Sequence, residues 1–176
     1  PQEDVSISEY KKKFKGTITF IKPDPQSGLM DIGFQIMVPG YNYDLAHAGK
    51  GPSDGWAFFT CYNTEQANTL LEVNASKNDK DFIAAVNWKL AEQAIADGKF
   101  KTMSTEYYHT YMDHGTRSAV SEKKTSVKIL YPKDIPGLIY YLPTPKSPHG
   151  VDVDPTGEYI VGGGKLASVI PVSYTH

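Results

Sequence analysis

The sequence contains five histidines, and His149 has the most constrained surroundings. It lies within Ser147-Pro148-His149-Gly150. The proline before it has a fixed φ angle, and the glycine after it lets a neighbouring backbone approach closely. These residues predict a rigid turn that could present an imidazole, a frequent metal ligand. A hydrogen-bonded turn histidine without any ligand is an equally good interpretation of the same four residues.

Oxygen-bearing side chains form a second candidate site, composed of Tyr62, Glu65, Asp79 and Asp81. Such side chains at the ends of neighbouring strands suit a hard cation such as calcium, which takes about six to eight oxygen ligands. Their spacing is not that of an EF-hand, and a solvated acidic loop explains the same residues.

Other reactive residues give weaker patterns. His109 and His114, with Asp113, could form a metal site or a solvated loop, while His47 lies in a glycine-rich stretch. Cys61 lies in an apolar run, which predicts a buried and inert thiol. We find no nucleophile elbow, phosphate loop or dinucleotide-binding fingerprint.

Composition excludes several classes of function. The 176 residues carry a formal net charge of -2, which argues against nucleic acid as a partner because phosphate binding needs a concentrated positive face. No apolar run approaches the roughly 20 residues needed to span a bilayer. We also find no signal peptide, and the start without Met leads us to expect a processed or truncated product.

The positions of these candidates depend on strands rather than helices. Alternating and apolar runs bounded by turn residues predict strands at residues 17 to 22, 30 to 38, 55 to 62, 82 to 88, 127 to 131, 138 to 142, 158 to 161 and 168 to 172. Residues 91 to 96 predict a short helix, which Asp97-Gly98 ends. We interpret residues 39 to 54 as a loop and the polar residues 103 to 125 as an excursion between strands.

These elements predict an all-β fold with a short helix in one connection. Strands separated by turns such as Asp154-Pro155-Thr156-Gly157 are typical of a sandwich, a barrel or a propeller. The run from Val151 to Val161 favours the propeller, because a tight turn there joins two strands of one blade. About eight or nine strands would make about two to three blades.

Four motifs resemble nitrous-oxide reductase. They are Thr-Cys-Tyr-Asn-Thr-Glu-Gln-Ala at 60 to 67, Asn-Asp-Lys-Asp-Phe at 78 to 82, the run Pro143 to Val161, and Gly-Gly-Lys-Leu at 163 to 166. They follow one another in the family's order, and the sequence from Thr64 to Ser76 resembles that of the family's Sec-exported branch. The resemblance implies part of a seven-bladed β-propeller, over residues 1 to 176, from a periplasmic homodimer that reduces N2O to N2 and water.

The resemblance also implies metal ligands. The family's propeller holds a sulfide-bridged four-copper cluster on histidines, and His149 matches the histidine of its Pro-His-Gly motif. Tyr62, Glu65 and Asp81 match calcium ligands, with Asp79 as the alternative to Asp81. Ser147 stands where another branch has an Asn ligand.

The departures from the family pattern lead to a further expectation. The paired histidines that open the cluster site, the later cluster histidines and the C-terminal cupredoxin domain are absent from this chain. We therefore expect a fragment that alone neither assembles the cluster nor reduces N2O. Two alternatives remain open, a non-enzymatic β-propeller or sandwich used for binding and a small calcium-binding β-protein.

Overall fold

A computed structural model describes residues 16–23, 30–38, 43–61, 81–110, 121–145, 147–165 and 169–175. Within these ranges the chain is mostly β, as predicted. The elements are β1 (Gly16–Pro23), β2 (Met30–Val38), β3 (Tyr43–Ala48), β4 (Trp56–Cys61), β5 (Phe82–Asn87), α1 (Trp88–Ala96), β6 (Lys101–Thr110), β7 (Ser121–Leu130), β8 (Ile139–Pro143), β9 (Pro148–Val153), β10 (Tyr159–Gly164) and β11 (Val172–Tyr174), with 3-10 turns at Gly51–Ser53 and Pro132–Asp134. No helix among the described residues is both long and apolar enough to span a membrane.

The chain forms two compact units. The first unit, residues 1–38 and 94–134, contains one sheet in the order β1-β2-β7-β6, in which β2 and β7 run parallel. Its core includes Met37, Met103, Val127 and Ile129. The prediction of an excursion at residues 103 to 125 was therefore wrong for most of that segment. The segment was interpreted as an excursion because it is polar, but the Thr and Tyr residues that it contains favour strands.

The second unit, residues 39–93 and 135–176, contains two antiparallel sheets. One has the order β3-β4-β5-β8 and the other the order β11-β10-β9. The loop predicted at residues 39 to 54 was wrong at Tyr43–Ala48, which forms β3. The glycines on either side of this strand favoured the loop interpretation. The strand pairs with β4 from Ala57 to Cys61.

The two sheets of the second unit share a core. Phe58, Ile83 and Ala85 contribute from the first sheet, and Val151, Val153 and Ile160 contribute from the second. Ile83 and Ala85 in β5, like Val151 and Val153 in β9, are two residues apart, as expected for one buried face of a pleated strand. Burying them removes apolar surface from water, which is the main stabilising contribution to such a core.

The edge strands β3 and β9 lie side by side but belong to different sheets. A Cβ built on Gly150 would lie 4.0 Å from Leu45 Cδ1, and His47 Nδ1 lies 3.1 Å from the Val153 amide nitrogen. Residue numbers increase together along the two strands, so β3 and β9 run in the same direction.

The predicted helix begins earlier than expected. Strand β5 ends at Asn87, and the Asn87 Oδ1 atom accepts the Leu90 amide at 2.9 Å. An Asn side chain that satisfies an amide three residues later is a favourable N-terminal cap. At the other end, Gly98 adopts φ +72°, while the Lys99 amide donates to the Ala94 carbonyl at 2.8 Å.

The predicted turn between β9 and β10 forms around the Asp154 carboxylate. Its Oδ2 atom accepts the Thr156 hydroxyl at 2.7 Å and the Thr156 amide at 3.0 Å, and its Oδ1 atom accepts the Tyr159 amide at 2.9 Å. These hydrogen bonds, above all the one from the Thr156 hydroxyl, lower the pKa of Asp154 from 3.8 to about 2. The ionised carboxylate is thus the form that the turn stabilises.

This turn predicts a defined pH dependence. Because folding lowers the pKa of Asp154, its contribution to stability is complete above about pH 4 and is lost as the pH falls towards about 2. We expect Thr156→Val to raise the Asp154 pKa towards 3.8, as measured by NMR titration of the carboxyl carbon. Thr175→Val is the matched control, because the Thr175 hydroxyl donates to the Gly157 carbonyl and not to Asp154. Equal pKa values in both variants would contradict the assignment.

Candidate functional site

His149 lies at an irregularity at the start of β9. Gly163 of β10 pairs with Gly150, and the next residue, Gly164, pairs with Pro148. His149 is therefore the extra residue of a β-bulge, a feature that re-aims a side chain and is common beside functional sites. The rigid turn predicted at Ser147-Pro148-His149-Gly150 was wrong in its extent, because strand pairing begins at Pro148. A proline is tolerated at the first position of a strand.

Ser147, the residue directly before β9, has an unusual backbone conformation. This residue has φ +57° and is fully buried. Its amide donates to the Asp81 Oδ2 atom at 2.5 Å, and its carbonyl accepts the Lys165 amide at 2.8 Å. The backbone on both sides of the Ser147 Cα is thus held in place two residues before His149.

Asp81 is positioned by the residues around it as well. Its side chain is buried, with the residue only 5% exposed, and its backbone carbonyl accepts the Thr144 amide at 3.1 Å. A buried carboxylate needs hydrogen-bond donors or a cation to offset its desolvation. The Ser147 amide supplies one such donor, and carboxylate oxygen is also the type of ligand that calcium prefers.

A tyrosine and cysteine cluster lies at the end of β4, beside the start of β5, which follows Asp81 directly. Tyr43 pairs with Cys61, which pairs in turn with Phe82. Burial, followed by the proximity of Cys61, raises the pKa of Tyr43, and the same two causes raise the pKa of Tyr141 to about 12. Both phenols are therefore neutral at physiological pH. The prediction that Cys61 is buried is confirmed.

His47 was missed as a structural residue because it was assigned to a glycine-rich loop. It lies on β3, where its Nδ1 atom is 3.1 Å from the Val153 amide nitrogen and 3.1 Å from the Asp152 Oδ1 atom. One ring nitrogen cannot serve both contacts at once. Without a proton it accepts from Val153, and with a proton it donates to Asp152.

The structure relates two of the predicted metal ligands to each other. It places the Asp81 carboxylate on the backbone of Ser147, two residues from His149. Three predicted calcium ligands, Tyr62, Glu65 and Asp79, lie outside the described residues, as do Asp113 and His114. Among the residues that are described, no three His, Cys, Asp or Glu side chains form a cluster suited to a metal ion.

Comparison with known proteins gives a consistent result. The chain is 31% identical over 143 residues to nitrous-oxide reductase of Pseudomonas fluorescens, which covers 80% of this chain and 19% of that protein. It is 28% identical over 140 residues to nitrous-oxide reductase of Stutzerimonas stutzeri, covering 78% of this chain and 18% of that protein. The chain is related to nitrous-oxide reductase. No protein-family model matches it.

The relationship to nitrous-oxide reductase confirms the resemblance found in the four sequence motifs. A third relative, nitrous-oxide reductase of Cupriavidus necator, is 30% identical over 152 residues, with 82% of this chain and 20% of that protein covered. The chain thus spans about a fifth of the length of these nitrous-oxide reductases. Its assignment to the Sec-exported branch stays a prediction.

Proposed function

We propose that this chain contributes part of the N-terminal β-propeller of a periplasmic nitrous-oxide reductase, and that His149 is one ligand of its copper cluster. The observation that carries the ligand assignment is the β-bulge at His149. A neutral imidazole is a good copper ligand, and a bulge held by buried neighbours fixes where it lies. The relationship to nitrous-oxide reductases supplies the substrate, N2O.

The arrangement of strands in the second unit supports the propeller. A four-stranded antiparallel sheet, β3-β4-β5-β8, is followed along the chain by the antiparallel strands β9, β10 and β11. The first strands of the two sheets, β3 and β9, lie side by side in the same direction, as the innermost strands of consecutive blades do. We therefore assign β3-β4-β5-β8 to one blade and β9-β10-β11 to the next, with α1, β6 and β7 inserted before β8.

The residues of this chain have separate roles in the proposal. When bound, the copper cluster would supply the two electrons that, with two protons, convert N2O to N2 and water. His149 would contribute one imidazole to it, and the other ligands would come from remaining blades of the parent protein. Tyr62, Glu65 and Asp81, with Asp79 as the alternative, would bind calcium. The cupredoxin domain and the second subunit of a homodimer would be the partners.

Replacing His149 in the full-length reductase that contains this segment tests the proposal. We expect His149→Ala to lose cluster copper and N2O reduction, while His47→Ala retains both because His47 contacts Asp152 and Val153, at the other end of β9. The readouts are copper content per subunit and the cluster absorption spectrum. Full copper and turnover in His149→Ala would overturn the assignment.

The isolated chain provides a second test. With one proposed cluster ligand among the described residues, we expect the 176-residue chain to bind no four-copper cluster and to reduce no N2O. Copper quantification after anaerobic reconstitution, followed by gas chromatography of N2O consumption, measures both. Turnover by the isolated chain would contradict the expectation.

A further inference from the structure

We infer that Asp81 is a positioning residue for His149 and that it acts through the backbone of Ser147. The inference rests on the proposed function, because positioning matters for catalysis only if His149 binds the cluster. Its structural basis is independent of that function. The buried Asp81 carboxylate accepts the Ser147 amide at 2.5 Å across 66 residues of sequence.

Ser147 needs such a contact because of its conformation. A φ angle of +57° is disfavoured for a residue with a Cβ atom, and it persists only where the surroundings fix it. A carboxylate is a stronger hydrogen-bond acceptor for an amide than a neutral group is. The Lys165 amide donates to the carbonyl of Ser147 itself, so the peptide groups on both sides of the Ser147 Cα atom are restrained.

Pro148 transmits this restraint to His149. Its ring fixes φ, so the segment between Ser147 and His149 has little freedom to absorb a rotation. Pro148 is also buried. A change at the Asp81 contact would therefore move the His149 Cα–Cβ bond, and the bulge would present the imidazole in a different direction.

This role differs from that of a calcium ligand. A carboxylate has two oxygens, and the hydrogen bond to Ser147 uses Oδ2. If Asp81 acts through Ser147, removing its carboxylate disturbs His149 in protein that contains no calcium. If Asp81 acts only through a cation, the same substitution has no effect on His149 once calcium has been removed.

Nuclear magnetic resonance on the chelator-treated 176-residue chain tests the inference. We expect wild type to show a downfield Ser147 amide proton, typical of a short charge-assisted hydrogen bond. Asp81→Ala should lose that shift and change the His149 ring carbon and nitrogen shifts, whereas Asp81→Asn, which keeps an acceptor oxygen, should give intermediate values. Asp134→Asn, at an exposed position, should change neither signal.

Three outcomes would overturn the inference. They are His149 ring shifts that do not change in Asp81→Ala, changes in both Asp81 variants that require added calcium, and equal changes in Asp134→Asn. If Asp81→Ala does not fold, as judged by backbone amides elsewhere in the second unit, Asp81→Asn alone decides through its His149 ring shifts.

Parallel experiments in the full-length reductase separate the inference from the proposed function. We expect Asp81→Ala to alter the absorption spectrum of the copper cluster and Asp81→Asn to restore it in part. An unchanged spectrum in His149→Ala would refute the proposed function, whereas the NMR result on the chain would still decide whether Asp81 positions His149.

Discussion

Replacing Gly157 with alanine should destabilise the second unit by about 2–5 kcal/mol. Gly157 has φ +81°, and a Cβ at this position would lie 2.1 Å from the Lys50 carbonyl oxygen and 3.0 Å from its carbon. The obstacle is backbone, so no side-chain rotation relieves it. The turn between β9 and β10 would have to separate from the loop that joins β3 to β4. Urea unfolding followed by tryptophan fluorescence measures the loss, since Trp56 and Trp88 both lie in the second unit.

Gly137→Ala provides a matched control for this prediction. Gly137 has φ +82° in the same unit, but a Cβ there would meet its nearest neighbours, Tyr140 Oη and Leu90 Cδ2, at 3.7 and 3.8 Å. These are ordinary contact distances, so only the conformational cost of about 1–2 kcal/mol remains. An equal decrease in the free energy of unfolding in the two variants would show that the contact with Lys50 does not contribute to the destabilisation.

Ile160→Ala should destabilise the same unit by about 2–5 kcal/mol, because it leaves a cavity between the two sheets. Ile160 is 1% exposed and packs in the core with Phe58 and Val151. The same fluorescence-monitored unfolding measures the free-energy change. Ile170→Ala removes the same atoms from a side chain that is 70% exposed, and we expect a change within about 0.5 kcal/mol. A loss in Ile170→Ala as large as in Ile160→Ala would contradict the assignment of the core.

The strands that form the core of the second unit were predictable from sequence. Phe58 and Ile83 lie in apolar runs, and Val151 and Val153 alternate with polar residues, so each strand carries a local signal. The strands β3, β6 and β7 carry a weaker signal. Polar residues dominate β6 and most of β7, and glycines follow β3, so their pairing depends on distant partners that no local pattern encodes.

The candidate site divides in the same way. Proline and glycine on either side of His149 indicated an unusual backbone, but they did not distinguish a turn from a bulge. That distinction depends on the pairing of Gly163 and Gly164 with β9. The contact between Asp81 and Ser147 spans 66 residues. The sequence indicated only that the Asp81 carboxylate could be an oxygen ligand, and it did not indicate Ser147 as its partner.

The imidazole of His47 has a consequence for how the two sheets remain distinct. Strands β3 and β9 are neighbouring edges with the same direction, and open edges of this kind invite backbone pairing. The Val153 amide, which such pairing would recruit, donates to the His47 ring whenever Nδ1 carries no proton. The His47 side chain thus occupies a backbone donor of β9 that β3 could otherwise use, which keeps the two sheets from joining into a single wide sheet.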